Sequence, residues 1–151
     1  MLTTVAIQVS VIGSGSAWER AAQEVGRLLA ERGCTVVTGG LDEVMGAAHR
    51  GAKGAGGTTL AILPGEDRGA ANPWADHVVV TGIGHARNLA VAASGDAVIA
   101  VGGSWGTLAE IAFACRLGRP VVALEGAPSV AGVEVASSPA DAVELALRHL
   151  E

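Results

Sequence analysis

Tyrosine is absent from this 151-residue chain and phenylalanine occurs once, so with three tryptophans the aromatic fraction is only 3%. Its core must therefore be aliphatic and close-packed, and the stacking platforms that hold single-stranded nucleic acid are disfavoured. Basic residues are scarce as well: ten Lys and Arg against fifteen Asp and Glu give a net charge of −5. Broad binding to nucleic acid or to an anionic membrane rests on positive surface, which this composition does not supply. The two cysteines, Cys34 and Cys115, have no metal-like spacing and are expected as buried free thiols of a reducing compartment. His49, His77, His85 and His149 stand at ligand spacing neither to one another nor to cysteine, so no metal site is expected. The chain lacks a run of about 18 apolar residues, and Met1-Leu-Thr-Thr4 has no basic n-region before an apolar stretch, so the expectation is a cytoplasmic protein.

What is abundant is glycine, with 22 residues, and aliphatic sequence, half the chain being hydrophobic. Apolar runs of strand length alternate with stretches of helical period. Strands are predicted at 5–12, 35–38, 59–63, 77–81, 97–101 and 121–124, with a short last one at 133–136. Helices are predicted at 17–32, 43–55, 85–94 and 107–117, and a final one opens at Ser138-Pro-Ala-Asp141 with Pro at its first position. The breaker-rich stretch Pro64 to Pro73 reads as a loop able to serve as a lid or rim. Near-continuous Val, Ile and Ala strands joined by helices imply an α/β fold: one doubly wound, Rossmann-like domain over residues 1–151, its mainly parallel sheet covered by helices on both faces.

Ligands of such sheets bind beyond the carboxyl ends of the strands, near a switch in strand order. Glycine turns gather at those ends: Gly13-Ser14-Gly15-Ser16, Gly39-Gly40, Gly82-Ile-Gly84 and Gly102-Gly103-Ser104. Such turns let backbone N–H groups approach a phosphate, and a helix N-terminus behind them adds free donors and the positive end of its dipole. Gly13, Ser14, Gly15, Gly39 and Gly40 are therefore candidate phosphate or nucleotide contacts. The standard dinucleotide fingerprint is missing, because Trp18 stands where G-x-G-x-x-G needs its third glycine, and no G-x-x-x-x-G-K-[ST] occurs. Glu110 lies one turn into the helix after the fifth strand, while Arg87 opens an otherwise apolar helix and needs a partner. Thr107-Leu-Ala-Glu110 also has the form of a capping box, as do Ser16-Ala-Trp-Glu19 and Ser138-Pro-Ala-Asp141. Glu110 thus has both a structural and a chemical reading.

Gly103-Ser-Trp-Gly-Thr-Leu-Ala-Glu110, Ala86-Arg-Asn88 and Thr38-Gly-Gly40 with Val44-Met-Gly46 resemble the LOG family, cytokinin riboside 5′-monophosphate phosphoribohydrolases often mislabelled lysine decarboxylases. The resemblance runs from Val5 to Gly126 and is closer still to short, poorly characterised relatives. The family pattern is P-G-G-x-G-T-x-x-E; here Gly102 stands for the Pro and Ser104 for the second Gly. The resemblance implies a Rossmann-like fold, a homodimer, and hydrolysis of the N-glycosidic bond of a nucleoside 5′-monophosphate. By matching positions, it makes Arg87 and Glu110 the catalytic pair and puts Gly103, Ser104, Gly106 and Thr107 on the phosphate. No cofactor is implied. A pyridoxal phosphate decarboxylase would need a Schiff-base lysine, and the one lysine, Lys53, sits at the polar end of a small-residue helix. The alternative function is a non-catalytic binder of a nucleotide or phosphorylated cofactor, since the relatives include a molybdenum-cofactor carrier.

Overall fold

The computed structural model describes residues 5–124 and 126–150. Its sheet consists of β1 (Gln8–Ser14), β2 (Thr35–Thr38), β3 (Thr59–Leu63), β4 (His77–Val80), β5 (Ala97–Gly102), β6 (Val121–Ala123) and β7 (Glu134–Val135). The helices are α1 (Glu19–Glu31), α2 (Val44–Gly54), α3 (Arg87–Ser94), α4 (Trp105–Arg116) and α5 (Pro139–Arg148). All strand pairs are parallel, in the order β4-β3-β2-β1-β5-β6-β7. The chain works outward from β1 to β4, then crosses to the other side of β1 and works outward again from β5. The reversal opens a crevice at the carboxyl ends of β1 and β5, where Ser14 lies opposite Gly102.

The strands read as continuous apolar runs because both faces of the sheet are covered. Val9, Val11, Ala97, Ile99 and Val101 pack on one side with Val25, Leu29, Ala48 and Val143 from α1, α2 and α5. Ile12, Val98 and Ala100 turn to the other side against Val91, Ala92, Ile111 and Ala114 of α3 and α4. This is the period-two alternation of a strand, here with an apolar neighbour on either side. Each fully buried Val, Leu or Ile stabilises the fold by about 1.5–3 kcal/mol. The small residues of α2 have a packing role: a Cβ on Gly26 would lie 1.9 Å from the Ala48 carbonyl oxygen, and one on Gly51 1.9 Å from that of Gln23. α1 and α2 thus touch backbone to backbone, and aromatic bulk is excluded there.

Several local expectations are corrected. β1 begins at Gln8, three residues later than the apolar run, because Val5 to Ile7 is exposed, and it continues to Ser14. Ser16–Trp18 forms a single 3₁₀ turn before α1, and no side chain caps that helix. α4 starts at Trp105, two residues before Thr107, with Ser104 in the cap position and no side-chain cap bond. The capping-box reading of Thr107 and Glu110 therefore falls, since both residues lie inside the helix. At α5 the cap half of the box forms, Ser138 Oγ accepting from the Asp141 N–H, while Asp141 Oδ2 accepts from the N–H of Ser137 instead of that of the cap residue. Cys34 is buried as expected, whereas Cys115 is exposed on the outer side of α4. No helix among the described residues is long and apolar enough to cross a membrane.

Candidate functional site

At the crossover lies a cavity of about 410 Å³, within the range of small-molecule sites. β1 delivers Gly13 and Ser14 to it, β2 is followed there by Gly39 and Leu41, α3 brings Arg87 and Asn88, and α4 contributes Gly106, Thr107 and Glu110 behind Ser104. Met45, Pro64, Gly84 and His85 also line it.

The amino end of α4 is its anion-seeking wall. Gly102 and Gly103, at φ 62° and 112°, make a turn open to glycine alone, and Gly103 has no room for a Cβ, which would lie 2.1 Å from Thr107 Oγ1. The tight turn brings Ser104 and the first turn of α4 to the cavity. Among the described residues no side chain caps them, and Ser104, Gly106 and Thr107 line the cavity, so the uncapped amino end of the helix, the positive end of its dipole, forms part of the wall. Gly106 leaves the approach open: a Cβ there would stand 4.0 Å from Asn88 Nδ2.

Arg87 and Glu110 share this cavity without forming an ion pair. Arg87 is 9% exposed, and its guanidinium lies flat over Gly39, whose Cβ would sit 2.8 Å from the guanidinium carbon. Its Nη1 donates to Asn88 Oδ1 at 2.6 Å, while its buried Nε has no partner among the described residues. Burial lowers the Arg87 pKa from its ordinary value, and the nearby Glu110 charge works against that. Glu110 is 8% exposed and accepts no hydrogen bond from any described residue. Burial pushes its pKa up to about 7, with Arg87 offsetting part of the rise. The cavity therefore holds a fixed cation, a carboxyl group half-ionised near neutrality, and free backbone donors. That set suits a phosphorylated ligand, and it can exchange a proton with one.

The expected contacts separate on this geometry. Gly13, Ser14, Gly39, Ser104, Gly106 and Thr107 line the cavity, as do Arg87 and Glu110, whereas Gly15, Gly40 and Gly103 lie behind it. Gly40 spends its N–H on Thr38 Oγ1 at 2.9 Å, and Gly15 donates its N–H to the Glu43 carboxylate at 2.5 Å. Gly39 is small because a guanidinium covers it, a reason distinct from phosphate approach. Asn88, Leu41 and Met45 were not singled out by chemistry in the sequence; the signal for Asn88 was its place beside Arg87.

The rim is fixed by a buried polar cluster. Asn72 Oδ1 accepts from the Trp74 N–H at 3.0 Å, which settles the amide orientation, so Nδ2 donates to the Leu41 carbonyl and to His49 Nδ1, each at 3.1 Å. His49 then carries its proton on Nε2 and donates it to Thr38 Oγ1 at 3.1 Å. Burial holds this imidazole neutral, with a pKa of about 4. The loop expected as a lid is thus tied at Asn72 to the turn after β2, while Pro64 at its start meets the cavity. Lys53 is engaged elsewhere, with Asp76 Oδ2 at 2.9 Å and the Gly57 carbonyl at 3.0 Å near the amino end of β3. Among the described residues, no group of three His, Cys, Asp or Glu side chains is placed to hold a metal.

Fold and cavity together define a doubly wound, Rossmann-like α/β protein with a crevice at its crossover. The chain belongs to the SLOG cluster4 family, whose model matches residues 6–147. It is 42% identical over 140 residues to an uncharacterized protein of Archaeoglobus fulgidus, covering 91% of this chain and 92% of that one. Its structure is similar to the molybdenum cofactor binding protein of the phototrophic bacterium Rippkaea orientalis, at TM-score 0.90 and 32% identity over 99% of this chain and 100% of the other. The molybdenum cofactor carrier protein of Chlamydomonas reinhardtii is similar at TM-score 0.88 and 35% identity, covering 97% and 99%. The LOG-like motifs thus led to the right wider group and the right fold, and the solved relatives named here are cofactor binders.

Proposed function

We propose that this protein binds and carries a phosphorylated small-molecule cofactor, of the kind its molybdenum-cofactor-binding relatives hold, with the phosphate seated on the amino end of α4. The observation that carries this reading is the uncapped first turn of α4, left open by Gly106 and facing a cavity that already contains the unpaired Arg87 cation. The residues fit such a cargo. Backbone donors and Arg87 suit the phosphate, and Leu41, Met45 and Pro64 offer apolar surface to a ring system. The test is co-migration: molybdenum cofactor released from a molybdoenzyme is mixed with the protein and passed through gel filtration. Cofactor in the protein peak of the wild type, with most of it lost in Arg87→Ala, is the expected result; its absence from the wild-type peak contradicts the reading.

Glu110 favours a second reading, hydrolysis of a nucleoside 5′-monophosphate to base and ribose 5-phosphate. Glu110, with a pKa of about 7, can in its protonated form pass a proton to the departing base as the N-glycosidic bond breaks; the carboxylate left behind stabilises the positive charge on the ribose carbon, and water adds to that carbon and returns a proton to Glu110. Release of ribose 5-phosphate from a panel of nucleoside monophosphates, abolished in Glu110→Gln and Arg87→Ala, would establish this reading in place of the carrier.

We further infer a homodimer. Trp105, Phe113 and Leu117 recur at helical spacing on the exposed side of α4, with Trp105 83% exposed, and Leu89 is exposed on the neighbouring α3. A second copy is the occupant that would cover this face.

A further inference from the structure

Asn88 follows Arg87 in the first turn of α3 and lines the crossover cavity. Arg87 Nη1 meets its oxygen, Oδ1, at 2.6 Å. A guanidinium can only donate, so this contact settles which way the amide is turned and leaves Nδ2 as its free end. Nδ2 lies 4.0 Å from the point where a Cβ on Gly106 would stand, nearer than any other described atom outside α4. Gly106 lines the same cavity from the first turn of α4, so the amide stands across the open amino end of that helix. Both sides of this gap carry N–H donors, and Nδ2 has no acceptor among the described residues. Unused hydrogen-bonding capacity recurs around it. Arg87, 9% exposed, has a buried Nε without a described partner, and Glu110, 8% exposed, lines the cavity and accepts no hydrogen bond from any described residue. Polar groups in folded interiors are ordinarily satisfied, so several left open around one cavity mark the place of a ligand.

We propose that Asn88 is the side-chain anion donor of this cavity: its Nδ2 and the main-chain N–H groups opening α4 hold one phosphate group between them. Donors facing each other across a gap cannot bond to one another, but the oxygens of a single tetrahedral anion accept from both sides. Arg87 then has two tasks, as the nearby positive charge and as the positioning residue that turns the amide so that Nδ2 and not Oδ1 meets the anion. A carboxamide supplies these donors without a charge of its own, so Arg87 stays the one lasting cation among the lining residues.

This inference rests on the phosphate-binding reading above, and its test separates the two. The chain's side-chain amides are those of Asn72, Asn88, Gln8 and Gln23, so the Asn88 pair is easily found in a proton–nitrogen correlation spectrum as the one missing from Asn88→Asp. Inorganic phosphate is titrated at fixed ionic strength, and the Asn88 side-chain pair and the Gly106 main-chain N–H are followed together. In the wild type both are expected to shift and to saturate with the same midpoint. Asn88→Asp keeps the shape and an oxygen for Arg87 Nη1, so it folds with Arg87 in place, but it puts a charged oxygen where Nδ2 stood. Its phosphate affinity, read at Gly106, is expected to fall by more than about tenfold, and that of Asn88→Ala by about tenfold, the worth of one hydrogen bond to a charged group. A side chain that merely supported Arg87 would leave the Asn88 pair unmoved by phosphate. An unmoved pair beside a shifting Gly106, or an Asn88→Asp affinity within about twofold of the wild type, overturns the role of Asn88 and leaves the phosphate site standing. No shift at Gly106 or at any other cavity residue of the wild type overturns the phosphate-binding reading, and this inference with it.

Discussion

A buried carboxyl group that accepts no hydrogen bond costs stability whenever it is ionised, and Glu110 is such a group. Its pKa in the folded protein, about 7, lies above its ordinary value of 4.5, so the folded state binds the extra proton between those two pH values. Stability from this group is fully present below pH 4.5 and is lost as pH rises through 7. Glu110→Gln removes the ionisation. It should raise stability at pH 8 by up to about 3 kcal/mol, with little effect at pH 4.5, while weakening any function that needs the charge. Denaturant unfolding at the two pH values checks this, and an equal effect at both would contradict the assignment. Arg87 complements it: its guanidinium is stacked on Gly39 and tethered by Asn88, so Gly39→Ala would drive a methyl group into that plane. Loss of ligand response in Gly39→Ala, with its circular dichroism spectrum unchanged, is the expected outcome.

Among the elements, the segment between β3 and β4 is held through the Asn72, His49 and Thr38 cluster. His49 has a folded pKa of about 4, below its ordinary 6.5, so its contribution is present above pH 6.5 and is lost as pH falls toward 4, amounting to at most about 3 kcal/mol. Asn72→Ala leaves a buried imidazole nitrogen and the Leu41 carbonyl without their donor and should cost about 2 kcal/mol. It should also speed amide exchange at Trp74 and in the turn after β2, where native protection in the variant would show that the tether is unimportant. β2 and β3 were legible to the residue, because apolar runs bounded by Gly and Thr have one sensible reading as buried parallel strands. The start of α4 was not legible. Thr107-Leu-Ala-Glu110 mimics a capping box, while the true start at Trp105 is set by the backbone of Gly102 and Gly103, which no side-chain pattern encodes. The same limit applied at Gly15, Gly39 and Gly40. Their glycines were visible, but Glu43 and Arg87, which use the Gly15 N–H and the space at Gly39, come from distant parts of the chain, and the Gly40 N–H is taken by Thr38 two residues before it.

At the scale of the whole molecule, the two buried titrations oppose one another. Between pH 4.5 and 6.5, Glu110 makes stability fall with rising pH and His49 makes it rise, so their slopes largely cancel in the wild type. Glu110→Gln should therefore unmask a steep loss of stability below pH 6.5. A profile for this variant parallel to that of the wild type across that window would contradict the pairing. The exposed apolar side of α4 makes a separate demand. Sedimentation should show a dimer that Phe113→Glu converts to monomer, and a concentration-independent monomer in the wild type would remove the homodimer. The central claim concerns the open amino end of α4. Its most direct test is Gly106→Val, which places a side chain between that helix end and Asn88 without forcing an unusual backbone conformation. Calorimetric titration of wild type and variant with molybdenum cofactor, and with nucleoside monophosphates in parallel, should show binding to the wild type and none to a folded Gly106→Val. Undiminished binding in the variant would place the phosphate elsewhere and contradict the account.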